Sequence, residues 1–169
     1  MKTLYIILSL LCFSFTVKSQ SFPTDPNEAF AFPLGCKATI QLVPIDSVSF
    51  QYSVLNFEPF TKIIDMSDKT ELFPDSIQEN TIDLIFGIGF FGTDKGNEKD
   101  YKTLLLIKSA YGHELDYKAD MQVYNKTEFE KTSVVNLYPK VLSIEMWPYR
   151  INNIALYGFK KEDRNQNKE

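Results

Sequence analysis

Residues 114–123 read Glu-Leu-Asp-Tyr-Lys-Ala-Asp-Met-Gln-Val, and this strict alternation of polar and apolar side chains decides the fold class. A period of two places alternate side chains on opposite faces of a β-strand, whereas a helix repeats about every 3.6 residues. The apolar members of the stretch are Leu115, Tyr117, Ala119, Met121 and Val123. The stretch therefore predicts a strand with one buried face and one solvated face.

The same period of two recurs along the chain. Residues 47–54 alternate between small polar side chains and Val or aromatic side chains. The runs 82–91 and 101–109 are apolar at both sets of positions, which is typical of central strands covered on both faces. Gly87 and Gly89 lie in the first of these runs and indicate a bulge or a close crossing by another segment.

Four further strands complete the prediction. They are expected at residues 38–43, 60–66, 141–147 and 153–160, which brings the total to about eight strands. Short strands separated by turn signals favour an all-β, antiparallel β-sandwich, either immunoglobulin-like or jelly-roll. We expect one such domain over residues 36–160.

The first 19 residues have the pattern of a cleaved signal peptide. Lys2 precedes an apolar run that reaches Phe15, and the small residues Val17 and Ser19 stand before Gln20. The run is shorter than the roughly 20 residues that a membrane-spanning helix needs, so we expect no transmembrane anchor. The Ser-Gln ending resembles that of secreted Bacteroidetes proteins, which implies a bacterial protein that is secreted or periplasmic.

The two ends of the predicted domain are expected to lack regular structure. Residues 20–35 contain three prolines among several phenylalanines, a pattern that favours an extended arm lying on the domain over a helix. Residues 161–169 are charged and polar, and they predict a disordered tail.

Charge and cysteine content exclude some classes of function. The chain has 18 basic and 22 acidic residues, and removal of Lys2 and Lys18 would leave a net charge near −6. Nucleic acid is therefore not an expected partner. The mature chain would keep only Cys36, so it could form no internal disulfide, and we expect this thiol to be buried and inert.

No pattern of residues predicts a catalytic, metal or cofactor site. His113 is the only histidine, and it stands in a turn between two predicted strands, where we expect an exposed loop residue. Asp94, Glu98 and Asp100 lie in a predicted hairpin loop, but their spacing departs from that of a calcium loop. Carboxylates that a glycosidase could use also occur along the strands, but alternating acidic residues simply describe a solvated face. They are Glu114, Asp116, Asp120 and Glu145.

The aromatic residues at the end of one predicted strand give the candidate binding site. If Leu142, Ile144 and Met146 face the core, the other face carries Ser143, Glu145 and Trp147. Pro148 ends the strand and places Tyr149 beside it. This register predicts a ligand-binding surface formed by Trp147, Tyr149 and Glu145. The alternative is that the second face of the sheet is also covered and that Trp147 belongs to the core.

These patterns together predict a non-catalytic binding module whose ligand is a polysaccharide, an envelope component or a partner protein. A secreted hydrolase that uses strand carboxylates and a structural envelope or matrix protein are the alternatives. An enzyme should have a concave pocket with at least two converging acidic groups, whereas a binding surface can be flat.

Overall fold

The computed structural model describes residues 25–68, 72–74, 78–91 and 101–162. Ten β-strands lie in these ranges: β1 Ala29–Pro33, β2 Cys36–Pro44, β3 Phe50–Pro59, β4 Ile64–Asp65, β5 Thr81–Phe90, β6 Lys102–Ser109, β7 Leu115–Val123, β8 Glu130–Thr132, β9 Leu142–Trp147 and β10 Ile151–Lys161. None of the described residues forms a helix of the length and apolar character that crossing a membrane requires. The all-β prediction is confirmed.

The strands form two sheets. One sheet has the strand order β3-β2-β5-β6-β9, with the two-residue strand β4 added beside β5, and the other has the order β1-β10-β7-β8. All neighbouring strands are antiparallel except β4 and β5, which run parallel. We call them the six-stranded and the four-stranded sheet.

The two sheets pack face to face around one core. Every second side chain of β7 enters it, as the alternation in the sequence predicts, and Tyr117 stacks on Phe159 at 5.5 Å. Tyr52 comes from the opposite sheet, and its hydroxyl donates to the carbonyl of Leu156 at 2.8 Å. The largest buried side chains come from both sheets, among them Phe32, Ile40, Leu84, Phe86, Leu105 and Leu156.

A second apolar cluster covers the outer face of the six-stranded sheet. Its buried members are Ile64, Met66, Ile85, Leu104 and Leu106. We call residues 60–66 the crossing segment, because they leave β3 and pass over β5 to form this cluster. The prediction that the strands in the runs 82–91 and 101–109 are buried on both faces is therefore confirmed.

Gly89 permits the close approach of the crossing segment. A Cβ atom on Gly89 would lie 2.6 Å from the carbonyl oxygen of Ile64 and 2.4 Å from Cδ1 of Leu104. Neither distance is compatible with a side chain, so the two glycines in this apolar run do mark a crossing. The predicted strand over residues 60–66 is reduced to β4, because the segment contacts β5 mainly through side chains.

The ends of the fold contain more sheet structure than expected. Regular structure begins at Ala29 and not near Cys36, since β1 pairs with β10 over its whole length. Pro33 is tolerated there because β1 is an edge strand. β10 extends to Lys161, one residue into the predicted tail. The signal peptide, the start of the arm and residues 163–169 lie outside the described residues.

Besides β1, the strand β8 was not predicted. β8 is three residues long, Glu-Lys-Thr, and it pairs with Ala119, Asp120 and Met121 of β7. It has no apolar alternation, because its outer edge and one face are solvated. Such a strand depends on its neighbour and gives no signal of its own in the sequence.

Candidate functional site

The register of β9 is the reverse of the one predicted. Trp147 is 6% exposed and belongs to the core between the sheets, and its indole N–H donates to Oγ1 of Thr132 at 3.1 Å. Met146, predicted to be buried, is 51% exposed. The predicted exposure of Trp147 is therefore wrong.

The outer apolar cluster explains this reversal. Leu142 and Ile144 are apolar because they pack against that cluster, on the far side of the sheet from Trp147. The polar residues that suggested a solvated face are accommodated inside: Ser143 is buried, and Glu145 is half-buried. A carboxylate oxygen of Glu145 accepts the backbone N–H of Val135 at 2.7 Å.

Tyr149 lies outside the core, as predicted. It is 43% exposed, and its hydroxyl contacts Sδ of Met121 at 3.7 Å. The strand end is fixed by Thr103, whose hydroxyl donates to the carbonyl of Tyr149 at 2.8 Å. The structure therefore separates the three predicted residues, with Trp147 and Glu145 on the inner face and Tyr149 on the surface.

Glu145 and Tyr117 are two ionisable side chains that lie near each other at the core between the two sheets. Burial raises the pKa of Glu145, although the hydrogen bond from Val135 opposes this shift. Burial and the nearby Glu145 carboxylate raise the pKa of Tyr117. The Tyr117 hydroxyl is buried and finds no hydrogen-bond partner among the described residues. In both groups burial disfavours the ionised form.

A concave feature of the described residues lies elsewhere, beside the crossing segment. It is a cleft of about 700 Å³. We call it the crossing cleft. Its lining residues come from the ends of β2, β3, β5 and β6, from the crossing segment and from the residues that follow it: Lys37, Glu58, Pro59, Phe60, Thr61, Lys62, Ile63, Asp65, Asp68, Leu72, Phe90 and Tyr101.

Two half-buried aromatic rings line the crossing cleft. Tyr101 stacks on Phe90, with ring centroids 5.9 Å apart and an interplanar angle of 28°. Phe90 is buried behind it, so Tyr101 is held in place by a rigid ring. Phe60 supplies the second ring from the crossing segment, and its backbone N–H donates to the carbonyl of Gly35 at 2.7 Å. Gly35 has a φ of +84°, a backbone conformation that favours glycine.

Charged groups of both signs accompany these rings. Nζ of Lys37 lies 3.6 Å from a carboxylate oxygen of Glu58, across the pair of strands β2 and β3. Asp65 accepts the backbone N–H of Ser67 at 2.9 Å, which fixes the turn after β4. Lys62 is exposed at the rim. The cleft can therefore offer hydrogen-bond donors, acceptors and apolar ring faces to one ligand.

The sequence-based reasoning missed this cleft because its lining residues are scattered over five segments of the chain. The two rings come from residues 60 and 101, which no local pattern connects. The available signal was the pair Gly87 and Gly89, which pointed to a crossing but not to the residues around it.

The other candidates of the sequence do not converge. Asp120 accepts the hydroxyl of Tyr157 at 3.0 Å on the four-stranded sheet, whereas Glu145 is on the six-stranded sheet. Glu114 accepts the Asn136 amide at 3.1 Å, and Asp116 belongs to β7. No group of three metal-ligating side chains occurs in the described ranges, and the loop of Asp94, Glu98 and Asp100 lies outside them.

Cys36 and His113 are placed as predicted. Cys36 is fully buried at the start of β2, and burial raises the pKa of its thiol to about 12. His113 is exposed in the loop between β6 and β7, where its nearest aromatic neighbour is Tyr111 at 5.8 Å. Neither residue lines the crossing cleft.

Comparison with known proteins adds no assignment to this geometry. No protein-family model, no curated protein and no solved structure matches the chain. The crossing cleft, with its two rings and its mixed charges, is therefore the feature from which a function has to be argued.

Proposed function

We propose that this domain is a non-catalytic binding module with a β-sandwich fold and that it holds a saccharide chain in the crossing cleft. The observation that carries the proposal is the supported ring of Tyr101 in a cleft that is also lined by Phe60 and by charged side chains of both signs. A sugar ring has an apolar face and a hydroxylated edge, so it needs both kinds of contact at once.

The charges of the crossing cleft favour a neutral glycan over an anionic polymer. Glu58, Asp65 and Asp68 line it together with Lys37 and Lys62. A phosphate-rich ligand would need a surplus of positive charge, which neither the cleft nor the acidic chain provides. Mixed charges instead match hydroxyl groups, which both donate and accept hydrogen bonds.

Calorimetric titration with neutral oligosaccharides derived from glucans, xylans and chitin tests the proposal. We expect at least one of them to bind, and we expect Tyr101→Ala to weaken binding by about tenfold, which corresponds to about 1.4 kcal/mol. Tyr149→Ala is the matched control, because Tyr149 is exposed but lies outside the cleft. Equal losses in both variants, or no binding by the wild type, would contradict the proposal.

A hydrolase is the second candidate, because three carboxylates line the same cleft. These carboxylates already have structural contacts, among them Glu58 with Lys37 and Asp65 with Ser67. The oligosaccharides incubated with the protein should be recovered intact. Cleavage that disappears in Asp65→Asn would instead assign the cleft to catalysis, since amide substitution removes acid-base function and preserves shape.

We also propose that the domain acts after export from a bacterial cell, with cleavage between Ser19 and Gln20. The basic, apolar and small-residue parts of residues 1–19 support this location. Mass spectrometry of the protein recovered outside the cytoplasm should give an N-terminus at or within about two residues of Gln20. A retained N-terminal segment would exclude it.

A further inference from the structure

The outer edge of β9 has the features of an unpaired edge strand. The backbone of β9 pairs with β6 on one side. Within the described part of the chain, the segment before it reaches β9 through side chains only: Val135 through Glu145, and Thr132 through Trp147. A strand edge with free backbone groups is a template for another strand.

The other edges of the two sheets each have a protective feature. In β3 the register slips so that Leu55 is left unpaired as a bulge, and Asn27 caps the edge by two backbone bonds with Tyr52. β1 is five residues long and ends in Pro33, and β8 is only three residues long and is charged. Bulges, proline, short length and charge all discourage pairing between sheets.

β9 lacks these features. It spans six residues without proline, lysine or a register shift. Its one charged side chain, Glu145, points inward, which can protect an edge strand, but here its carboxylate already accepts the backbone N–H of Val135. Exposed apolar side chains surround it: Val135 is 55% exposed, Val141 53% and Met146 51%. An open edge with an apolar rim is a site for strand addition.

We propose that the β9 edge pairs antiparallel with the β9 edge of a second copy of this chain, which gives a two-fold symmetric dimer. The sequence of β9 is self-complementary about Ile144. Pairing centred there places Leu142 opposite Met146 of the second copy on the outer face. On the inner face it places Ser143 opposite Glu145 of the second copy, so a hydroxyl meets a carboxylate.

The neighbouring register is disfavoured by charge. A pairing centred on Glu145 would place two carboxylates directly opposite each other, which destabilises a strand pair. A shift by a single position would place the outward-facing apolar side chains of one strand next to the inward-facing side chains of the other. The centre at Ile144 is therefore the register that suits both faces. Five residues of each β9, Leu142 to Met146, pair in this register. The interface is small, so the dimer should depend on protein concentration.

Sedimentation velocity over a dilution series of the full secreted chain tests the dimer. We expect the wild type to change from dimer to monomer on dilution and Met146→Lys to raise the dissociation constant on the order of tenfold or more. Leu55→Lys is the matched control, because Leu55 is 48% exposed on the β3 edge, and it should leave the dimer unchanged. A wild type that stays monomeric at all concentrations, or equal effects of the two lysines, would overturn the proposal.

A cysteine cross-link tests the register separately. Antiparallel partners have Cα atoms about 4.5 to 5.5 Å apart, which a disulfide can span. Ile144→Cys should therefore give a covalent dimer on mild oxidation, because Ile144 meets its own copy at the two-fold axis. Leu55→Cys should stay monomeric, and Cys36 is buried and does not interfere. Equal cross-linking in both variants, or none in Ile144→Cys, would contradict the register.

Discussion

At the scale of single residues, the fold depends on positions where a side chain must be absent or must stay uncharged. Gly89 is the first kind, because the crossing segment occupies the space where its Cβ would be. Cys36 is the second kind, because its thiol is enclosed at the point where β2 begins. Gly89 lets the crossing segment, which lines the crossing cleft, pack closely on β5. Cys36 is part of the core between the sheets.

Gly89→Ala should destabilise the domain by about 2 kcal/mol or more, since the new methyl group overlaps the Ile64 carbonyl and the Leu104 side chain. Gly112→Ala is the matched control. A Cβ there has no neighbour within 4 Å, so its effect should stay within about 0.5 kcal/mol. Urea denaturation measures both variants. Similar stabilities for the two would show that the crossing segment does not press on β5.

Cys36 should be unreactive in the native state. Its pKa of about 12 keeps the thiol protonated at neutral pH, and reagents have no access to it. Titration with a thiol reagent at pH 8 should give labelling only after denaturation. Rapid labelling of the native protein would mean that the start of β2 opens. Because folding raises this pKa, Cys36 favours the folded state below its ordinary value of 9.0, and this contribution is lost as the pH rises toward 12.

At the scale of elements, β9 shows how a strand can satisfy the period of two and still be assigned to the wrong face. Periodicity separates the two faces of a strand, but it does not say which face is buried when both carry apolar residues. The buried face was decided by the outer apolar cluster, which includes residues of the crossing segment and against which Leu142 and Ile144 pack. The strands β7, β5 and β6 could be assigned from sequence because their patterns left one choice.

The fluorescence of Trp147 reports the register of β9 directly, since it is the only tryptophan. We expect an emission maximum typical of an apolar environment and strong protection from acrylamide. Both follow from its 6% exposure and its bond to Thr132. Emission typical of water, with easy quenching, would restore the register that the sequence suggested.

Glu145 should make the stability of the domain depend on pH. Folding raises its pKa, so its favourable contribution is complete below the ordinary value of 4.5 and is lost as the pH rises through the folded value. Glu145→Gln keeps an oxygen acceptor for Val135 and removes the buried charge. Its stability relative to the wild type should therefore increase from pH 4 to pH 7. Denaturation curves at several pH values measure this difference, and a constant difference would rule out the shift.

At the scale of the whole molecule, the sequence was sufficient for most of the strands and insufficient for the site. Local alternation predicted eight of the strands, although β4 is shorter than expected, and it missed β1 and β8, which depend on their neighbours. The crossing cleft joins five separate segments of the chain, so it exists only after the sheets have formed. Gly87 and Gly89 indicated a crossing, but no pattern in the sequence connected the residues that line the cleft.

The location of the binding site is the central claim of this account. Amide chemical-shift mapping by NMR, with the neutral oligosaccharide that binds best, tests it most directly. We predict that the largest shifts cluster at Lys37, at residues 60–62 and at Tyr101, around the crossing cleft. A cluster of shifts around Tyr124 and Tyr149, with none at the cleft, would contradict the claim.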